Sequence, residues 1–338
     1  MRSILLTSPM QFSPVELPSE PPASDTAVTV RVRAGGICGS DGPFVRGVPA
    51  RFGGPSHPDG IAPSGSPMHE VVGEIEDPGT STDFRKGDRV VGWATGFDGM
   101  SEVVATDPDS LAVYSETWSP TDAVLLQPLA CVIHAVDRLG DVRGRRCTVL
   151  GLGPIGALFA HVLDSAGALV DGVDPVDRSD FAGPLGLRSV TRSHSAAWAR
   201  HLAPEDQSEI VVETVGHQTA TLNHAITAVA PQGTVLYFGV PDEDIYPIDM
   251  EKMVRKHLTL MTGGTLNRRR ALTRADEYLR AHPDLARALI THVVPVSEAT
   301  RAYAEATTPA PGRLKVVIDM AEWWDQPSTE TGASSSAR

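Results

Sequence analysis

The stretch Cys147-Thr148-Val149-Leu150-Gly151-Leu152-Gly153-Pro154-Ile155-Gly156 decides the fold. A short apolar run predicts a buried strand over Cys147–Leu150, and the apolar sequence Pro154–Ala166 predicts a helix. Between them lies Gly-x-Gly-x-x-Gly. Gly151 allows the tight turn, Gly153 lets the backbone approach a pyrophosphate, and Gly156 lets helix and strand pack closely. With Pro154 and Ile155 at its first turn, the helix offers free N–H groups and the positive end of its dipole to phosphates. A glycine triplet alone is an ordinary tight turn. One set between a strand and a helix predicts a dinucleotide site.

Working outward, strands and helices alternate. Strands are predicted over Leu169–Asp174, Ile210–Glu213, Gly233–Gly239 and Leu258–Thr262, with a helix over Gln218–Val229 and a preceding one over Pro120–Leu139. This pattern implies a doubly wound parallel sheet of the Rossmann type. Asp174 ends its strand 18 residues beyond Gly156, near the ~20-residue interval at which an acid takes the ribose hydroxyls. Its charge disfavours a 2′-phosphate, so NAD is expected over NADP. Arg178 stands nearby and is the one residue type here suited to holding that phosphate.

The first 120 residues differ in texture. They are rich in Gly and Pro, with β-branched runs at Ala27–Val32, Val71–Glu76 and Asp88–Gly92 that predict strands, and Met1–Pro14 is read as a first strand. The stretch Gly42–Pro67 is read as a long irregular loop. Leu314–Asp319 is again a strand pattern, which could return to this first domain. The chain of 338 residues thus fits two domains, an α/β class plus a β-rich one. They are assigned to 1–120 with 285–325 and to 121–284, leaving 326–338 as a Ser-rich tail. A formal charge of −13 argues against nucleic acid and anionic membrane as partners. Without a run of ~20 apolar residues no membrane span is expected. Three cysteines are too few for a disulfide framework and suit a reducing cytoplasm.

Two segments of the first domain carry metal-ligand chemistry: Gly36-Ile37-Cys38-Gly39-Ser40-Asp41 and Pro67-Met68-His69-Glu70. Alone, Cys38 reads as a small buried hydrophobe and His69 as a core or surface residue. Together Cys38, His69 and Glu70 offer a thiolate, an imidazole and a carboxylate, a reasonable set for catalytic zinc with an open fourth position. These segments, followed by Lys86-Gly87-Asp88-Arg89-Val90, Gln127-Pro128-Leu129-Ala130-Cys131, the Gly151–Gly156 loop, Glu213-Thr214-Val215-Gly216 and Lys315-Val316-Val317-Ile318, resemble the medium-chain dehydrogenase/reductase superfamily. The likeness runs through nearly the whole chain and is nearest to the polyol (sorbitol-like) and threonine dehydrogenase branch.

That resemblance implies a GroES-like β-rich catalytic domain with a Rossmann domain inserted. It implies that Cys38, His69 and Glu70 bind zinc, that Ser40 takes the substrate alcohol's proton, and that Asp41 orients His69. Val215, Phe238, Gly239, Val240 and Thr262 fall where the family lines the nicotinamide, and Lys315 where it sets a basic group near the pyrophosphate. It also implies pairing of Rossmann domains through Leu258–Thr262, hence a homodimer or homotetramer.

Four departures qualify the match. Gln127 stands where relatives place Glu, a position that could reach the metal directly or through water. Met68 replaces the usual Gly, so its side chain must find room beside the metal. Pro43 replaces a His that completes a proton relay, leaving water or a group such as His57. Trp93–Glu102 contains no Cys, so the structural zinc lobe is absent and one zinc per chain is expected. The expected function is a zinc- and NAD-dependent oxidoreductase acting at the CH–OH carbon of a small polar alcohol, or on its ketone; a polyol, amino polyol or cyclitol fits. The alternatives are a zinc-free reductase of the same superfamily and a non-catalytic dinucleotide-binding protein.

Overall fold

The structure, a computed structural model, describes residues 1–18, 26–48 and 63–324. Strands β1 (Arg2–Ser8) and β2 (Gln11–Glu16) form an antiparallel hairpin, with Met10 in the left-handed region at its turn. The single first strand expected over Met1–Pro14 is therefore two, because Pro9-Met10 breaks the ladder.

The catalytic sheet joins the two ends of the chain. Its strands are β3 (Val28–Gly36), β4 (Glu70–Asp77), β5 (Arg89–Trp93), β6 (Val103–Thr106), β7 (Leu111–Val113), β14 (Ile290–Pro295) and β15 (Lys315–Asp319). They run in the order β14-β15-β3-β4-β5-β7, with β6 also paired to β3. Alternate residues Val28, Val30 and Val32 of β3 face one core with Val71, Ile75 and Ile318, while Ala34 and Val72 face another.

The second sheet holds β8 (Arg146–Leu150), β9 (Leu169–Asp174), β10 (Ser189–Arg192), β11 (Ser208–Glu213), β12 (Val229–Tyr237) and β13 (Thr259–Met261), all parallel, in the order β10-β9-β8-β11-β12-β13. Each central strand is buried on both faces. Ile210 and Val212 of β11 pack into the layer that holds Cys147, Val149 and Leu236. Val211, Leu150 and Val235 pack into the opposite layer against the helix Thr219–Ala228. Period-two side chains on a strand covered by helices on both faces produce this apolar run.

The helix expected over Pro120–Leu139 is split into Pro120–Ala123 and Leu126–Arg138. The longer piece joins the two domains: its buried Leu126, Leu129, Val132 and Ile133 share one core with Val91 and Trp93 of the catalytic sheet and with Val149 and Ile210 of the nucleotide sheet. Each such fully buried side chain stabilises by ~1.5–3 kcal/mol, so this helix ties the two sheets into one framework. The stretch Gly42–Pro67, read as irregular, begins within a short helix, Asp41–Val45; positions 49–62, including His57, lie outside the described residues.

Candidate active site

Antiparallel pairing of β3 and β4 sets Gly36 opposite Glu70. Cys38 follows one strand and His69 precedes the other, so the fold brings the two sequence segments together at one end of the sheet. One ligand atom from each of Cys38, His69 and Glu70 lies within 4.8 Å of the others. Asp41 is buried behind them. Its Oδ2 accepts from the Cys38 amide at 3.0 Å, and its Oδ1 lies 3.3 Å from His69 Nδ1.

Cys38, Asp41 and Glu70 gather acidic groups around His69. Burial opposes a charge on His69, yet the Asp41 carboxylate and the Cys38 sulfur outweigh it and hold the imidazole well above its usual range. Burial also lifts the Asp41 carboxyl, with His69 opposing. A soft sulfur, an imidazole and a carboxylate gathered in such a field fit zinc. The buried His69 Nδ1 is without a well-aligned hydrogen-bond partner among the described residues, and Asp41 Oδ1, at 3.3 Å, is the group placed to orient the ring.

Ser40 is half-buried next to Cys38, at the N-cap of the helix Asp41–Val45, and its hydroxyl makes no capping bond.

The dinucleotide loop sits at the carboxyl end of β8. Gly151 is left-handed, with φ of 88°. A Cβ on Gly156 would meet the Gly151 carbonyl at 1.8 Å, so only glycine permits this approach of helix to strand. The helix Pro154–Ser165 begins with no side chain capping it. Asp174 Oδ2 accepts from the Leu152 amide and Oδ1 from that of Val176, each at 2.7 Å, so the carboxylate is anchored to the loop it serves. Thr214 Oγ1 donates to the carbonyls of Leu150 and Gly151, at 2.9 and 2.7 Å, which locks the turn to β11.

Residues 121–320 match the family described as "Glucose dehydrogenase C-terminus", and residues 24–171 match "Alcohol dehydrogenase GroES-like domain". The chain belongs to the medium-chain dehydrogenase/reductase superfamily. It is 25% identical to glucose 1-dehydrogenase of Metallosphaera sedula over 94% of this chain and 98% of that one. It is 24% identical to sorbitol dehydrogenase of Bacillus subtilis over 68% and 72%. Among solved structures it resembles Haloferax mediterranei glucose dehydrogenase in complex with NADP, Zn and gluconolactone, with a TM-score of 0.74, 20% identity and coverage of 94% and 99%.

Other sequence candidates fall into place around this medium-chain dehydrogenase/reductase framework with varying fidelity. Val215 lies beside the glycine loop, its Cγ2 3.0 Å from where a Gly151 Cβ would sit. Phe238 and Gly239 donate their amides to the Glu213 carbonyl, at 2.9 and 3.1 Å, and Val240 accepts from the His217 amide at 2.8 Å. These residues therefore form two interlocked loops at the ends of β11 and β12. Thr262 is exposed, its carbonyl taking Arg138 Nη1 at 2.6 Å.

Two expectations, for Lys315 and Met68, are corrected by the structure. Lys315 does not offer a solvent-facing charge to a pyrophosphate: it is 2% exposed, and Nζ donates to Glu70 Oε2 at 2.5 Å and to the Ile37 carbonyl at 3.0 Å. A buried ammonium is retained where acceptors surround it, and Glu70 supplies the charge. Gln127, 3% exposed, directs its Nε2 to Cys131 Sγ at 3.8 Å, a partner one helical turn along. Met68 finds room in the core and not beside the metal. A Cβ on Gly35 would sit 2.2 Å from Met68 Cε, so the missing side chain of Gly35 is the space Met68 fills. Burial pushes the Cys131 thiol up to about 12.

The sequence reading missed two residues here. His217, just past Gly216, is left-handed with φ of 50° and pairs with Asp242. The only sequence signal was a histidine following Val-Gly in a predicted strand-to-helix loop.

Proposed function

We propose that this chain is a zinc-dependent oxidoreductase that transfers a hydride between the CH–OH carbon of a small polar alcohol and NAD. The observation that carries the reading is the convergence of Cys38, His69 and Glu70 within 4.8 Å, backed by buried Asp41. When bound there, zinc supplies Lewis acidity toward a substrate oxygen. When bound on the Gly151–Gly156 loop, NAD supplies the hydride acceptor. The protein's own groups do the rest. Ser40 takes the hydroxyl proton through an Oγ not committed to helix capping. Asp41 fixes Cys38 and His69, and Val215, Phe238, Gly239, Val240 and Thr262 line the nicotinamide pocket. Glucose and sorbitol, the substrates in the relatives' names, support a polyol, an amino polyol or a cyclitol.

NAD over NADP is supported by the position of Arg178. Its Nη1 donates to the carbonyls of Ala310 and Arg313, at 3.0 and 2.6 Å, and the side chain is 4% exposed. The guanidinium that could hold a 2′-phosphate is engaged elsewhere, while the Asp174 carboxyl is anchored beside the loop. One zinc per chain is supported by the continuous passage from Trp93 to Val103 without a cysteine. The catalytic domain is assigned to 1–120 and 285–325 and the nucleotide domain to 121–284. A homodimer or homotetramer is supported by β13 at a sheet edge, with Ile245, Met250, Val254 and Leu266 exposed in the adjoining segments. A cytoplasmic location suits three free cysteines, and among the described residues no helix is long and apolar enough to cross a membrane.

The Lys315–Glu70 pair favours a second reading, the zinc-free reductase, because an ammonium already neutralises Glu70. Metal analysis of the purified protein, with NAD or NADP reduction over a panel of polyols before and after chelation, decides between them. One zinc per chain, with chelator-sensitive NAD reduction restored by zinc, supports the proposal. Full turnover without metal overturns it.

A further inference from the structure

The two halves of the candidate site belong to different domains, and hydride transfer depends on how they are held in register. One side chain spans the gap. His217 Nε2 lies 3.2 Å from the carbonyl of Gly39, the residue between Cys38 and Ser40. On its other side His217 Nδ1 lies 2.7 Å from Asp242 Oδ1. Both partners are acceptors, so a ring N–H turned toward either one donates to it.

The backbone around this ring is built to present it. Gly216 and His217 are both left-handed, with φ of 59° and 50°, a conformation costly for a residue with a side chain. It is held by the His217 amide donating to the Val240 carbonyl at 2.8 Å and by Glu213 Oε1 accepting from Val215 and Gly216, each at 3.1 Å. Two of the residues that hold His217 toward Gly39, Val215 and Val240, are among those assigned to the nicotinamide pocket. Across the gap, the Gly39 carbonyl also accepts from the Gly42 amide at 3.2 Å, so the imidazole grips the turn that leads from Cys38 into the helix Asp41–Val45. Asp242 is itself tied back, its amide donating to the Tyr246 hydroxyl at 2.9 Å.

We infer that His217, oriented by Asp242, is a positioning residue that clasps the Cys38–Ser40 turn to the nicotinamide side of the nucleotide domain. Its effect on turnover rests on the dehydrogenase reading above; the clasp itself does not. A misplacement of ~1 Å between reacting centres can cost ~10²-fold in rate, and a lost clasp acts on register without touching the metal ligands or the glycine loop.

The test has two arms. The first is amide hydrogen exchange on the purified full chain, which needs no turnover. His217→Ala should raise uptake in peptides covering residues 36–45 and leave those covering the helix Pro154–Ser165 unchanged. His217→Gln, whose amide can still donate to Gly39, should restore protection, and Asp242→Asn should fall between. Equal uptake in 36–45 for His217→Ala and the unmodified chain overturns the clasp, whatever the activity. The second arm reads kinetics. His217→Ala should lower kcat by ~10–100-fold with zinc content and NADH affinity retained, and His217→Gln should recover most of it. A loss confined to NADH affinity, or no recovery with Gln, overturns the positioning role. If the unmodified chain holds no zinc and turns over no alcohol, the dehydrogenase reading fails, and the exchange arm still decides the clasp.

Discussion

Replacing Lys315 with Met tests how the cluster is balanced when metal is absent. The substitution keeps most of the aliphatic stem and removes the ammonium. In the structure the Lys315 and Glu70 side chains are 2% and 1% exposed, with Nζ 2.5 Å from Oε2 and 3.0 Å from the Ile37 carbonyl. Burying either charge alone is costly, and removing one partner of such a pair costs ~3–5 kcal/mol because the other is left uncompensated. That is a large share of the ~5–15 kcal/mol typical of a folded chain. Denaturant unfolding of the chelator-treated protein should therefore show Lys315→Met less stable by about that amount. Two further outcomes give the loss a specific origin. Lys315→Met with Glu70→Gln removes both charges and should regain most of the stability. Saturating zinc should also restore Lys315→Met, since a cation beside Glu70 replaces the missing ammonium. Equal stability of metal-free Lys315→Met and unmodified protein would refute the reasoning, because Glu70 would then have no need of the ammonium.

Cys38→Ser and His69→Ala should each lose most bound zinc by elemental analysis, whereas Ser40→Ala should keep zinc and NADH binding and lose ~10²–10⁴-fold in turnover. Gly35→Ala should destabilise through the 2.2 Å approach to Met68 Cε, and a second change, Met68→Ala, should relieve part of that loss in thermal unfolding. Burial pushes the Asp98 carboxyl up to about 6. Its folded pKa lies above the unfolded value, so stability present below about pH 4 is lost as pH rises through 6. Asp98→Asn should therefore stabilise by ~2–3 kcal/mol at neutral pH and by little at pH 4. Asp174→Ala should weaken NAD binding and narrow the gap to NADP in calorimetric titration, and unmodified protein that prefers NADP would sink that assignment.

Most of the nucleotide sheet was legible because its strands report themselves. Central parallel strands bury both faces, so Cys147–Leu150, Leu169–Asp174 and Ile210–Glu213 read as apolar runs between turn residues. The strand Ser189–Arg192 was missed for the opposite reason: it lies at the sheet edge with only Val190 half-buried, and Ser-Val-Thr-Arg carries almost no apolar signal. The strand expected from Gly233 begins earlier, at Val229, which pairs with Ser208; the ladder then resumes at Thr234 after an irregularity spanning Ala230–Gly233. Pro231 and Gly233 fall within that irregularity, and disruption inside a strand and the start of one look alike in sequence.

The candidate site was legible to the extent that its chemistry is local. Cys38 with Asp41, and His69 with Glu70, each stand within a few residues, and antiparallel pairing of β3 and β4 needed only to bring two short segments to one sheet end. Whatever depends on contacts between distant segments was lost. Lys315 reaches Glu70 across 245 positions and His217 reaches Gly39 across 178. Neither separation leaves a spacing to read. The family resemblance pointed Lys315 at a pyrophosphate; a buried carboxylate competes for the same side chain, and burial is what a sequence does not print. The same holds for Met68, whose side chain looked like an intrusion on the metal until Gly35, on the neighbouring strand, proved to be the space that receives it. Substitutions that appear singly as departures are thus paired in space. The sharper test of any such departure is the double change at both members of the pair, since only there do packing and charge return together.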